Sequence, residues 1–180
     1  MLRFETHNCA LLVIDIQGKL AQSMFQRDIL FKNCRSLIQA AQILGVPTLL
    51  TEQAPHKIGA TLDKIRCVLK AGPITKSTFS CVLEPAFMKA LRATSRKQVI
   101  VCGIEAHVCV YQSVCDLIEQ QFDVQVVADA TSSRKQSDLA LALERLRLSK
   151  AVITSTEMII CELLQGAFHP KFKDIMALIK

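Results

Sequence analysis

Cys109 sits in the string CGIEAHVCV, Cys102 to Val110, a few residues after the apolar run VIVCG and at the head of the amphipathic stretch VYQSVCDLIEQ. A cysteine placed there meets the positive end of a helix dipole, which favours thiolate over thiol, and thiolate is the nucleophile of covalent catalysis. Two charged residues stand at comparable places: Asp15 at the polar edge of CALLVIDIQ and Lys76 in ITKSTFS. An aspartate can take a proton from sulfur or water. A lysine can hold the thiolate by charge and then stabilise developing negative charge. The cysteine can attack a carbonyl or imine carbon and form an acyl intermediate, with backbone N–H groups at the helix start as an oxyanion hole. Such a set is that of a cysteine hydrolase, and it needs no histidine when aspartate is the base. Each residue also has a plainer explanation: a turn or cap for the aspartate, a solvated charge for the lysine, a small core residue for the cysteine.

The elements that must position these residues alternate along the chain. CALLVID is a nearly continuous apolar run, the pattern of a strand buried on both faces. Helical periodicity follows from about Asp28 to Leu44, with Ile29, Leu30, Leu37, Ile38 and Ala41 expected to face inward, Gly45 as its stop and VPTLLT as the second strand. A polar segment leads to a third strand near PITKS. EPAFMKALRAT is expected to be a helix with Pro85 in its first turn. QVIVCG is then a strand and HVCVYQSVCDLIEQQ a helix, with Val110, Val114, Leu117 and Ile118 as its buried stripe. DVQVVADA (strand), QSDLALALERLRLS (helix, with Leu139, Ala142, Leu143 and Leu146 on one face), AVITST (strand) and the helical pieces TEMIICELLQ and HPKFKDIMALIK complete the chain. This alternation predicts an α/β fold: a three-layer α/β/α arrangement with a six-stranded parallel sheet, covered on both faces, in one domain over residues 1–180. With a Rossmann-like strand order 3-2-1-4-5-6, the ligand crevice lies at the carboxyl ends of strands 1 and 4, where Asp15 and Cys109 converge and Lys76 comes close.

Composition narrows the class. The chain has 180 residues, 51% of them hydrophobic, enough for a full core and against disorder. No apolar run reaches the roughly 18–20 residues of a membrane span, and the opening MLRFETHNCALLVIDIQ lacks the marks of a secretory signal, so a cytoplasmic protein without a membrane partner is expected. The eight cysteines, Cys9, Cys34, Cys67, Cys81, Cys102, Cys109, Cys115 and Cys161, contain no CxxC pair and fit neither a zinc site nor a disulfide framework. The spacing of Cys109 and Cys115 exceeds one helical turn, which disfavours a local disulfide. The histidines form no HxH or DxH grouping, so neither a metal nor another cofactor is expected. Net charge is +6, but the basic residues are scattered with no aromatic interleaving, which argues against nucleic-acid binding.

The chain resembles the isochorismatase-like cysteine hydrolases, the superfamily that includes nicotinamidase and N-carbamoylsarcosine amidase. The likeness covers nearly the whole length. It rests on VIDIQ with Asp15 and Gln17, ITKSTFS with Lys76 and Phe79, and CGIEAHVCV with Cys109; TEQAPHKIGAT, DATSSR and FHPKFKDIMALIK are similar to the isochorismatase domain-containing branch. The resemblance implies a catalytic triad of Asp15, Lys76 and Cys109. It also implies a non-proline cis peptide between Ile104 and Glu105, and an oxyanion hole made by the N–H groups of Glu105 and Cys109. Gln17, Glu52, Gln53, Phe79 and His107 are candidates to line a small-molecule substrate pocket, and a homo-oligomer is implied. Two departures matter. Where nicotinamidases carry an Asp-x-His metal motif this chain reads TEQAPH, with Glu52 and Gln53 in place of the ligands, so a metal-free amidase-type reaction on a small amide or ureido compound is expected. True isochorismatases lack the nucleophilic cysteine, and this chain has it. The rival expectation is a non-enzymatic binding or scaffold protein that keeps the fold and the triad.

Overall fold

The apolar runs form strands because every second residue reaches a different core. In a computed structural model, which describes residues 3–179, β1 (Cys9–Ile14) sends Cys9, Leu11 and Val13 into one hydrophobic cluster and Ala10, Leu12 and Ile14 into another. β4 (Gln98–Ile104) does the same, with Ile100, Cys102 and Ile104 on one side and Val99 and Val101 on the other. Both strands are buried along their whole length. Each large aliphatic side chain so buried stabilises the fold by about 1.5–3 kcal/mol.

The other strands are β2 (Thr48–Gln53), β3 (Ile74–Lys76), β5 (Asp123–Ser132) and β6 (Val152–Thr154). All pairings are parallel and the order is β3-β2-β1-β4-β5-β6, as expected. The helices are α1 (Gly18–Gln22), α2 (Arg27–Ile43), α3 (Pro55–Ile58), α4 (Asp63–Arg66), α5 (Pro85–Ala93), α6 (Tyr111–Glu119), α7 (Gln136–Leu148), α8 (Thr156–Leu164) and α9 (Phe172–Ile179). α2, α8 and α9 contribute to the first cluster; α5, α6 and α7 cover the opposite face. Pro85 does open α5, and the Ser155 side chain caps α8 by accepting from Met158 N–H.

Three local readings needed correction. Ile29, expected to face inward, is 50% exposed: it lies in the first turn of α2, ahead of the stripe of Leu30, Phe31, Cys34, Leu37, Ile38 and Ala41 that meets the sheet. α1, α3 and α4 were not anticipated. Cys109 does not lie in the α-helix itself but in a π-helical turn, Ala106–Val110, that runs directly into α6.

Candidate active site

Asp15 follows the last residue of β1 and takes a left-handed conformation, φ 53°. Aspartate tolerates that region better than most residues, and such outliers gather at functional sites. The turn places its carboxylate over the ends of the neighbouring strands. Thr51, paired with Ile14 in the ladder, donates its hydroxyl to Asp15 Oδ1 at 2.8 Å. Lys76 ends β3, and its Nζ lies 2.7 Å from Asp15 Oδ2, with both side chains almost wholly out of solvent. Nζ also donates to Gln53 Oε1 (2.7 Å) and to the carbonyls of Thr78 (3.2 Å) and Phe79 (3.1 Å). Three protons thus serve four acceptors. Oδ2 contacts the ammonium and has no second donor among the described residues, which leaves it a lone pair for another proton.

The third residue arrives from the opposite half of the sheet. The ladder between β4 and β5 shifts register between Val101 and Gly103, a bulge of the kind that re-aims a strand end beside a site. The Ile104–Glu105 peptide is cis, as the resemblance implied. The π turn then carries Cys109, 7% exposed, into the same apolar cluster as Ile14 and Cys81. The Glu105 carbonyl accepts the N–H groups of Val108 (3.0 Å) and Val110 (3.2 Å). Among the described residues the N–H groups of Glu105 and Cys109 go to no acceptor outside their own turn.

The electrostatics reverse one expectation. Burial, and then the Asp15 carboxylate, push the Cys109 thiol up to about 12, against the opposing pull of Lys76. The dipole of the helix does not make a resting thiolate here. Burial draws Lys76 down, but its interactions, the Asp15 carboxylate foremost by charge and hydrogen bond, hold the ammonium above its ordinary value of 10.5. The resting site is therefore an ammonium, a carboxylate and a neutral thiol, with no net charge. Passing the thiol proton to Asp15 leaves an ammonium, a carboxylic acid and a thiolate, again with no net charge. Losing that proton to bulk water would leave a buried negative charge, which is far more costly.

The remaining candidates have definite jobs. Gln17 is fully buried and ties two loops together: its amide donates to the carbonyls of Gln53 (3.1 Å) and Gly59 (2.6 Å), and its Oε1 accepts from Gln53 N–H (2.7 Å). Glu52 Oε1 accepts from the Thr61 N–H (2.7 Å) and hydroxyl (2.6 Å). Gln53 accepts from Lys76 and donates to Ser77 O at 2.8 Å. Both side chains at the place of the nicotinamidase metal motif are thus engaged elsewhere, and among the described residues no group of three or more His, Cys, Asp or Glu is placed to hold a metal ion. Phe79 keeps its ring half exposed while its carbonyl serves Lys76. His107 Nδ1 meets Ser133 Oγ at 2.9 Å. Glu105 Oε2 accepts from Arg134 N–H and Nε, both at 3.1 Å. Sequence reasoning missed Thr51, Ser133 and Arg134 as individuals. Thr51 lies at the carboxyl end of β2, and the other two fall in the DATSSR segment, so position relative to the strand ends was the available signal.

Comparison with known proteins gives the family and the fold. The isochorismatase domain family matches residues 9–158. Isochorismatase domain-containing protein 2 of Danio rerio is 39% identical over 178 residues, covering 98% of this chain and 89% of that protein. The MAR1 ribonuclease of Caenorhabditis elegans superposes with a TM-score of 0.93 at 38% identity, over 99% of this chain and 92% of the other. The YcaC gene product of Escherichia coli, an octameric hydrolase of unknown specificity, superposes with a TM-score of 0.89 at 25% identity, over 98% and 96%.

Proposed function

The chain belongs to the isochorismatase domain family, and from that premise we propose that it is a cysteine hydrolase that cleaves a C–N bond of a small amide or ureido compound without drawing on a metal. The observation that carries the reading is the buried Lys76–Asp15 contact at 2.7 Å, with Cys109 buried in the same cluster as Ile14, the residue before Asp15. Asp15 takes the proton from Cys109 as sulfur attacks the carbonyl carbon, and the C=O π pair moves to oxygen. The N–H groups of Glu105 and Cys109 receive that oxyanion, and Lys76 offsets the negative charge of the site. As the intermediate collapses, the C–N bond breaks and Asp15 returns the proton to the leaving nitrogen. The acyl group then stays on sulfur as a thioester. A water that gives its proton to Asp15 attacks this thioester, releasing the acid and the thiol.

Intact-mass spectrometry during turnover of a panel of small amides and ureido compounds tests the scheme. An acyl adduct on Cys109 is expected, and Cys109→Ala is expected to lose both adduct and turnover. Full turnover by Cys109→Ala would refute the mechanism. Because the Caenorhabditis elegans relative is a named ribonuclease, single-stranded RNA belongs in the panel: RNA cleavage with every amide left intact would replace the reading. An adduct that never turns over would favour the binding or scaffold reading.

Two further features of the same reading follow. The eight cysteines are all free, which suits a reducing compartment such as the cytoplasm, and no helix among the described residues is long and apolar enough to cross a membrane. Phe79 and Leu83, 52% and 63% exposed, flank the loop that leads from Lys76. With an octameric relative in view, we take these as part of a homo-oligomer contact near the site. Light scattering is expected to give an oligomer that Leu83→Asp disperses; a wild-type monomer at micromolar concentration would contradict it.

A further inference from the structure

A cavity of about 470 Å3 opens at the amino ends of the strands, on the edge of the sheet away from Asp15, Lys76 and Cys109. It is lined by the segments that lead into β2, β3 and β4. Its polar groups are Gln42, Thr48, Lys70, Thr94 and Arg96; the other lining residues are apolar or glycine, and no aspartate or glutamate is among them. A concave site with two cations and no carboxylate has a field of one sign.

Hydrogen bonding separates the occupied groups from the available ones. The Thr94 hydroxyl donates to Leu91 O at 2.6 Å and accepts from Arg96 N–H at 3.3 Å, and the Gln42 amide donates to Val68 O. Arg96 and Lys70 form no ion pair among the described residues. Arg96 Nε and Thr48 Oγ1 are shut off from solvent with no hydrogen-bond partner among those residues. Buried polar atoms without partners are rare, and each calls for a reason. Both atoms are closed to a water-sized molecule, so an occupant of the cavity meets Arg96, a half-buried residue, through its outer atoms and does not reach the Thr48 hydroxyl.

The complement of a guanidinium and an ammonium is an anion with several acceptor oxygens and more than one negative charge. A carboxylate offers two oxygens and a single charge. A phosphate group offers three or four oxygens, close to two charges, and the geometry that an arginine fork matches. We propose that this cavity is a second ligand site, for a phosphate group held by Arg96 and Lys70. The volume exceeds what a lone phosphate takes up and falls within the range of small-molecule pockets, about 300–1,000 Å3. The apolar wall then receives the organic part of a phosphomonoester.

The site lies at the wrong edge of the sheet to feed the triad, so its occupant is an effector rather than a substrate. Occupancy links the segment ahead of β3 to those ahead of β2 and β4. Since β3 has three residues and ends on Lys76, a ligand that holds Lys70 acts on the strand that carries the site lysine.

Isothermal titration calorimetry on the whole chain, in chloride buffer at constant ionic strength, tests this with inorganic phosphate, glycerol 3-phosphate and glycerol. Saturable binding of the phosphate-bearing compounds in the millimolar range or tighter is expected, with none for glycerol. Arg96→Gln and Lys70→Gln are each expected to weaken it by about tenfold or more. Lys70 is exposed, so its variant folds even if Arg96→Gln does not. Tighter binding of the ester than of the free ion identifies an ester as the occupant; equal binding identifies the phosphate group alone. No saturable binding, heats that an equal charge of chloride reproduces, or binding unchanged in Lys70→Gln would overturn the proposal.

Discussion

Neutralising Asp15 separates two properties of Cys109 that a preformed thiolate would join. The carboxylate raises the thiol's pKa, so Asp15→Asn lowers it. A shift of about one unit makes iodoacetamide labelling of Cys109 roughly tenfold faster at neutral pH. The same substitution removes the proton acceptor, so turnover falls by about 100-fold or more. Faster alkylation with slower catalysis is the signature of an aspartate base acting on a neutral thiol. Labelling that slows in Asp15→Asn would contradict it. In the wild type, labelling of Cys109 is expected to keep rising with pH beyond the ordinary thiol value of 9.0; a plateau below that value, read by mass spectrometry at each cysteine, would restore the resting thiolate that its position in the sequence suggested.

The elements deliver these side chains through close backbone approach, most of all at Gly103. Its φ of +123° lies outside the range that side chains favour, and a Cβ added there would sit 2.1 Å from the carbonyl oxygen of Ile14. The neighbour in that contact is backbone of β1, one residue before Asp15, and it has nowhere to go. Gly103→Ala is expected to cost about 3 kcal/mol or more, from left-handed strain and the forced separation of β1 from β4; urea denaturation measures it. A loss below about 1 kcal/mol would mean that the strands part more easily than their packing indicates. Element by element, legibility followed length and period. β1 and β4 were plain as continuous apolar runs, and α6 and α7 showed their stripes in advance, with Leu139 and Leu143 half-buried and Ala142 and Leu146 fully so. α3 and α4 have four residues each, too few for a helical period to show. The π turn around Cys109 packs against β4 and α7, a tertiary setting that local patterning does not encode.

For the whole molecule, the buried thiols predict an alkaline limit. Burial raises Cys9 and Cys81 to about 11 and Cys109 to about 12 from an ordinary value of 9.0. The folded state therefore keeps protons that the unfolded chain releases, and the stability they contribute, complete below pH 9, falls as pH rises from 9 toward 11. The loss is about 1.4 kcal/mol per pH unit for each of the three. Chemical denaturation from pH 7 to 11 tests the sign; a flat profile would mean that these thiols are better solvated than their burial implies. Strand order and the meeting of Asp15, Lys76 and Cys109 were readable because apolar runs and charged strand ends follow chain order. The charge state was not, because it depends on how deeply the three are buried together. The same topology has a consequence during synthesis. β1 pairs on one side with β2, and its other edge, Cys9 to Ile14, waits for Gln98 to Gly103. A chain leaving the ribosome therefore carries an apolar strand with one open edge until more than half its residues have emerged, which exposes it to pairing with other nascent copies and makes it a natural client for a chaperone.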